Sequence, residues 1–397
     1  MVTCDLEKIT PVREKYVKSI CFVTASPMTL RAFMRNHLLC LSGRYEVSAV
    51  ADFTEGDLTA DWFPGVRLVS VPIARRINLL GDLKALWELY RYFRARRFDA
   101  VHSVTPKAGL LAMIAARLAG IPHRIHCFTG QVWATQQGLG RELLKNADRL
   151  IAANATHVLA DSHSQLEFLV SEHILRPDGA EVLGHGSISG VDVGRFRPDA
   201  ALRASIRQAL GVPKDAFLLL FVGRLNRDKG VLDLADAFAR LTRENNASWL
   251  LMVGPDDEEG IAARFEQRCG SAMARVRRID YTSTPEHYMA AADVFVLPSY
   301  REGFGSVVIE AAACGIPAVA SRIYGLTDAV EEGATGLLQP AGDVNGLYDN
   351  LLLISADSKL RAEMGERAQV RANAHFSMIS VTAALSAYYE GIFGTSA

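Results

Sequence analysis

Residues 293–317 read DVFVLPSYREGFGSVVIEAAACGIP. The stretch opens with a short apolar run, Val294 to Leu297, closed by Pro298, which reads as a buried strand. A polar, glycine-bearing turn follows from Ser299 to Gly305. Val307, Val308, Glu310, Ala311 and Ala312 then set a helix that stops near Gly315-Ile316-Pro317. One carboxylate, Glu302, falls on the strand-to-helix loop, and a second, Glu310, lies about one turn inside the helix. Between them the amides of Phe304, Gly305 and Ser306 face outward at a helix N-terminus, where free N–H groups and the helix dipole favour an anion. Carboxylates beside such a site would repel a phosphate, so they grip neutral hydroxyls more readily. A ligand with both phosphates and many hydroxyls is a nucleotide sugar. The plainer alternative is a helix start decorated with acids for capping.

The 397 residues suit two domains of ordinary size, with 49% apolar and 22% charged residues, an ordinary soluble composition. The start, MVTCDLEKITPVREKYVK, is charged and lacks the apolar core of a signal peptide. The most apolar run, Leu110 to Ile121, is short and contains Arg117, so it does not span a bilayer. Six cysteines at 4, 21, 40, 127, 269 and 314 form no CxxC pair, which argues against zinc or a disulfide framework and for a cytoplasmic chain. Residues 1–190 carry 22 Lys plus Arg against 18 Asp plus Glu, and residues 191–397 carry 21 against 26. The basic first half points to an anionic partner, either a lipid surface or a phosphorylated acceptor. Nothing else supports binding to nucleic acid.

Ahead of the opening stretch, strands alternate with helices. Strands fit Ile20–Thr24, Glu46–Ala51, Arg67–Val71, Ala100–Ser103 and Arg124–Phe128, with helices at Leu30–Leu41, Gly81–Arg97 and Ala108–Leu118. Glycine-rich GHGSISGVDVGRFRPD, residues 184–199, reads as a linker. A second series follows, with strands at Phe217–Val222, Trp249–Val253, Val276–Ile279, Val294–Leu297, Ala318–Ala320 and Gly336–Leu338. Such alternation implies parallel sheets covered on both faces, an α/β, Rossmann-like layout given twice. No G-x-G-x-x-G follows the first strand, so the dinucleotide fingerprint is missing.

FVGRLNRDKG, residues 221–230, opens the second series. Gly223 allows a tight turn, and Arg224 and Lys229 flank the next helix start, as suits a diphosphate. A solvated basic loop is the bland alternative. The acidic run Asp256–Glu259 reads as solvent-exposed. In HSVTPKAG, residues 102–109, Lys107 stands at a helix start and either receives an acceptor phosphate or lies exposed on a loop. The helix around residues 79–98 mixes Trp87, Tyr90, Tyr92 and Phe93 with Arg91, Arg94, Arg96 and Arg97, which suits a membrane interface. Leu83, Leu86, Leu89 and Phe93 recur at helical spacing and read as core. No HExxH or convincing D-x-D appears, so no catalytic metal is expected.

The two glutamates eight positions apart around GFG, within PSYREGFGSVVIEAAACGIPAVAS (298–321), resemble the E-x7-E signature of retaining glycosyltransferases of the GT4 family. GRL-x-x-x-KG at 223–230 resembles the same family's donor-phosphate motif. The resemblance implies a GT-B fold: an acceptor domain over 1–190, a nucleotide-sugar domain over 191–375, and a helix over 376–397 that packs back on the first domain. It implies that Gly223, Arg224, Lys229, Gly303, Phe304, Gly305 and Glu310 hold the donor, and that Glu302 works on the transferred sugar. His126 sits where the family places a histidine facing the donor sugar across the cleft. The acceptor side is assigned to Ser26, Lys107, Gln131 and Trp133. HxFTGQVW, VTPKAG, GSISGVDVGRF and YGLTDAV further resemble bacterial enzymes that extend lipid-linked oligosaccharides for capsule, O-antigen or protein N-glycan. Such enzymes often take UDP-linked N-acetylated hexoses, act on polyprenyl diphosphate sugars at the inner face of the cell membrane, and react by front-face displacement. Two departures touch the pocket. Thr24-Ala25-Ser26-Pro27-Met28 stands where relatives carry a glycine pair, and Asp328 replaces a late glutamate. Two other classes share this outline, a sugar-nucleotide 2-epimerase and a non-catalytic nucleotide-sugar sensor; the paired motifs favour transfer.

Overall fold

The structure is a computed structural model that describes residues 17–54, 62–74 and 78–394. Most of the charged leader, with Cys4, lies outside the described residues. The first sheet holds β1 (Ser19–Val23), β2 (Glu46–Ala51), β3 (Val66–Ser70), β4 (Ala100–Ser103), β5 (His123–Phe128), β6 (His157–Ala160) and β7 (Glu181–Val182). The second holds β8 (Phe217–Val222), β9 (Ser248–Val253), β10 (Val276–Ile279), β11 (Val294–Leu297), β12 (Ala318–Ser321) and β13 (Gly336–Gln339). Pairing is parallel in both. Strands such as FLLLFV of β8 are apolar end to end because helices cover both faces.

The strand orders are β3-β2-β1-β4-β5-β6-β7 and β10-β9-β8-β11-β12-β13. Sequence order therefore reverses between β1 and β4 and between β8 and β11. Crevices open at the carboxyl ends of strands where the order reverses. Both second-domain motifs emerge there, one from β8 and one from β11.

The chain passes between the two sheets twice, side by side. Val191 N–H donates to Phe376 O at 2.7 Å, and Met378 N–H donates to Val191 O at 2.8 Å. The helix Met378–Phe393 then lies on the first domain, where Leu385 and Tyr389 are buried among Ile20, Phe22 and Leu38.

Several elements differ from the sequence reading. The helix expected at Leu30–Leu41 begins at Pro27 under an Ser26 cap and runs through a π-turn segment, Leu30–Met34, to Ser42. Strands β6 and β7 and the helices Gly138–Asn154 and His163–Ser171 are additions. In the helix Leu79–Arg96, Ala85, Leu89 and Phe93 face the core, while Leu83, read as core, is 62% exposed.

Candidate active site

The loops after β8 and β11 lock together. Gly230 has φ +66°, and a Cβ there would lie 1.9 Å from Pro298 O, so only glycine lets the two loops touch. Tyr300 N–H donates to Asp228 O at 2.8 Å, and Arg301 Nη2 pairs with Asp228 at 3.1 Å. Tyr300 OH donates to Asp233 at 2.7 Å. The motifs are some seventy residues apart in sequence but form one rigid floor.

On that floor Lys229 Nζ pairs with Glu302 Oε1, both largely shielded, and Ser299 Oγ donates to the same oxygen at 2.8 Å. Lys229 and Glu302 are therefore mutual partners. Arg224 reaches outward, its side chain 57% exposed, and Nη1 meets Asp257 at 2.6 Å. The acidic loop is thus not merely solvated, as its sequence suggested. Asp257 holds Arg224, and Glu258 holds Arg227 at 2.8 Å and Arg264 at 2.6 Å. Close opposite charges on neighbouring loops draw the acids onto the arginines.

The helix Ser306–Ala313 starts at Gly305, whose φ is +81°. The Phe304 side chain is buried, with its ring 5.3 Å from Phe376, so only its backbone faces the crevice. Glu310 is half-buried on the first turns of that helix, near Arg195 and Glu286, which pair with each other at 2.7 Å. Burial, with Glu286 adding to it and Arg195 opposing, pushes the Glu310 carboxyl up to about 7.

The first domain meets this floor through the turn after β5 and the loop after β12. A Cβ on Gly130 would lie 3.0 Å from Gly303 N. Tyr324 stacks on Phe168 at 4.5 Å, and its hydroxyl accepts from Gln131 N–H at 3.2 Å. The Asp328 carboxylate crosses to the start of the helix His163–Ser171, accepting from His163 N–H at 3.1 Å and from the Ser164 amide and hydroxyl. Ser164 Oγ in turn accepts from Gly325 N–H at 2.8 Å. Asp328, read as a substitution in the pocket, caps a helix of the opposite domain.

Four first-domain candidates sit in buried or paired settings. His126 is only 1% exposed, its Nδ1 2.8 Å from Ser103 Oγ and its ring beneath Gly109, so it does not face the cleft openly. It lies inside β5, and burial pushes its imidazole down to about 3. Trp133 is buried, donating to Asp148 at 2.7 Å and stacking on Phe168, because a large indole at this position fills the core. Gln131 is 2% exposed, and its amide donates to Thr129 O at 2.8 Å, shaping the Thr129–Gln131 turn. Lys107 is neither free nor on a loop. It stands in the first turn of the helix Pro106–Leu118 and pairs with Asp82 at 2.6 Å. Ser26 is half-buried at the mouth of the first switch point, its hydroxyl accepting from Met28 N–H at 3.2 Å. Among the described residues no group of three His, Cys, Asp or Glu is placed to hold a metal ion.

Residues 203–371 match the family model "Glycosyl transferases group 1", and residues 34–186 match "Glycosyl transferase 4-like domain". The capsular polysaccharide biosynthesis glycosyltransferase CapM of Staphylococcus aureus is 29% identical over 321 residues, 81% of this chain and 84% of that one. An Escherichia coli UDP-Gal:alpha-D-GlcNAc-diphosphoundecaprenol alpha-1,3-galactosyltransferase is 29% identical over 310 residues, 77% and 79%. The D-inositol 3-phosphate glycosyltransferase 2 of Catenulispora acidiphila is 32% identical over 313 residues, 74% and 70%. Among solved structures, Anabaena HepE in complex with UDP superposes with a TM-score of 0.79 at 20% identity, over 94% of this chain and all of that one.

Proposed function

The chain belongs to the group 1 glycosyltransferases with a GT-B fold, and from that premise we propose that it moves an N-acetylated hexose from UDP to a polyprenyl-diphosphate-linked saccharide, with retention at the anomeric carbon. The observation that carries this reading is the union of two motifs on one floor, with Lys229 and Glu302 paired at the switch point of the second sheet. The diphosphate is taken by Lys229, Arg224 and the amides of Gly303 to Ser306, and Lys229 leaves Glu302 to do so. Glu302 is then free for the transferred ring, and Glu310 takes the ribose hydroxyls. As the bond from the anomeric carbon to the diphosphate oxygen breaks, that oxygen accepts the proton of the acceptor hydroxyl, which attacks the same face. Amides and cations already aimed at the leaving group stabilise its charge at little reorganisation cost.

The acceptor reading draws support from relatives that build capsule and diphosphoundecaprenol-linked glycan. A membrane-facing flank fits it. Leu79, Leu80, Leu83 and Trp87 are 59–81% exposed along one stripe, beside Arg91 and Arg94. Among the described residues no helix is long and apolar enough to cross a membrane. Peripheral contact with the anionic inner face of the cell membrane is the proposed placement, and no metal is assigned to the reaction.

The test is a panel of nucleotide sugars scored for UDP release with a polyprenyl-diphosphate-sugar acceptor, with and without excess chelator. Release that needs the acceptor and survives chelation is the expected outcome. Binding of UDP-sugar without release would make the chain a sensor, and loss of activity restored by Mg²⁺ would overturn the metal-free mechanism.

A further inference from the structure

Asp161 directly follows β6, at the point where both domains, the linker and the returning helix meet. It is 4% exposed, and its Oδ1 is buried without a hydrogen-bond partner. Its backbone is fixed on both sides: its N–H donates to Gln165 Oε1 at 2.7 Å, and its carbonyl accepts from Ser187 N–H at 2.8 Å. On one flank the carboxyl lies beside the donor loop, close enough that a Cβ on Gly303 would meet Asp161 Oδ2 at 3.3 Å. On the other flank it borders a cavity of about 30 Å³ that His37, His102, Cys127 and Leu385 also line. His102 Nε2 is likewise buried without a partner, while its Nδ1 is held by Tyr389 OH at 2.8 Å. Two unpartnered polar atoms on one cavity of that size are what a single buried water would bridge.

We propose that Asp161 is a positioning residue for the transfer step: its carboxyl packs behind Gly303 and sets the height of Glu302 over the crevice. The proposal rests on the glycosyltransferase reading. Asp161 touches no reacting atom and acts through Gly303. The titratable groups around it are His37 and His102 across the cavity, Cys127 on β5, Tyr389 behind His102, and Asp328 and Glu302 from the second domain. Two of these are carboxylates, and a charge on Asp161 would push against both. Burial, opposed by a backbone hydrogen bond from Ile188 and reinforced by Asp328, raises its carboxyl to about 7. The neutral acid therefore fits behind the loop, and its ionisation above neutral pH displaces the loop. A folded-state value above the unfolded one means that stability falls as pH rises from the ordinary aspartate range towards 7.

The wild type, Asp161→Asn and Asp161→Ala are compared by thermal unfolding at about pH 5.5 and 8.5 and by kcat at saturating donor across that range. Asparagine keeps the shape and cannot ionise, so its Tm should rise relative to wild type as pH increases. Its kcat should lack the wild-type decline through about pH 7. Alanine should lower kcat about tenfold or more while moving the donor KM less than about threefold. A Tm difference that is constant with pH, a kcat profile shared by wild type and Asn, or an Ala variant with wild-type kcat would each overturn the proposal. The unfolding arm needs no substrate, so it stands apart from a wrong choice of donor or acceptor.

Discussion

Glu302 and Glu310 stand eight positions apart but in different company. Burial raises the Glu310 carboxyl to about 7. Ribose hydroxyls donate to the charged form, so UDP should bind more tightly as pH rises through 7, and Glu310→Gln should both weaken and flatten that profile in calorimetry. Glu302 is Lys229's partner. Glu302→Gln releases a lysine towards the diphosphate, so UDP affinity should hold or improve while kcat falls more than KM rises. Lys229→Ala should cost UDP roughly tenfold or more in affinity, since charge-assisted contacts are worth about 1.5–3 kcal/mol. Arg224→Ala should cost less, because its guanidinium is largely exposed and already paired with Asp257. UDP affinity lost in the Glu302 variant and kept in the Glu310 variant would reverse the two assignments. The glutamates were legible because a strand and a helix flank them at fixed spacing. The burial of His126 was harder to read. Alternation along β5 puts it on the face away from Ile125 and Cys127, in register with Ser103 and under Gly109.

At the scale of elements, strands buried on both faces announced themselves, and Glu46–Ala51, Phe217–Val222 and Val294–Leu297 fell where their apolar runs fall. The two-residue β7 is too short to carry a pattern, and β6, HVLA, opens on a histidine and so lacks a continuous apolar run. The contacts that close the site were not legible for another reason. Gly130 against Gly303, and Asp328 against Ser164, join residues more than 150 positions apart with no local signal. The Gly230 contact is the sharpest test of the two-loop floor. Gly230→Ala puts a methyl into Pro298 O and strains a left-handed backbone, which should cost on the order of 1–3 kcal/mol in urea unfolding. Donor affinity should fall with it, because the loop carrying Lys229 must lift. Unchanged stability and UDP binding would mean that the loops are not locked.

At the scale of the whole molecule, the two domains are clasped at Asp328–Ser164 and hinged at Val191–Phe376. Asp328→Ala removes an acceptor from the His163 and Ser164 amides at a helix start and the clasp from the interface. It should raise the radius of gyration in X-ray scattering and lower kcat/KM, with little change in UDP binding to the second domain. An unaltered scattering curve would show that other contacts hold the domains. Binding to anionic vesicles should weaken steeply with added salt and be poor with neutral lipid, at about 1 kcal/mol per basic residue near the surface. Equal sedimentation with both lipids at all salt levels would remove the membrane flank from the picture. The paired crossings at Val191 and Met378 also bear on synthesis. The face of the first sheet around Phe22 and His102 is finished by Leu385 and Tyr389, which emerge from the ribosome only after the whole second domain. For most of translation that apolar face has no lid, and nascent chains exposing such surface are the ones chaperones hold. The first domain is therefore begun first and completed last, and a released chain truncated before residue 378 should hold a folded second domain beside an unfinished first one.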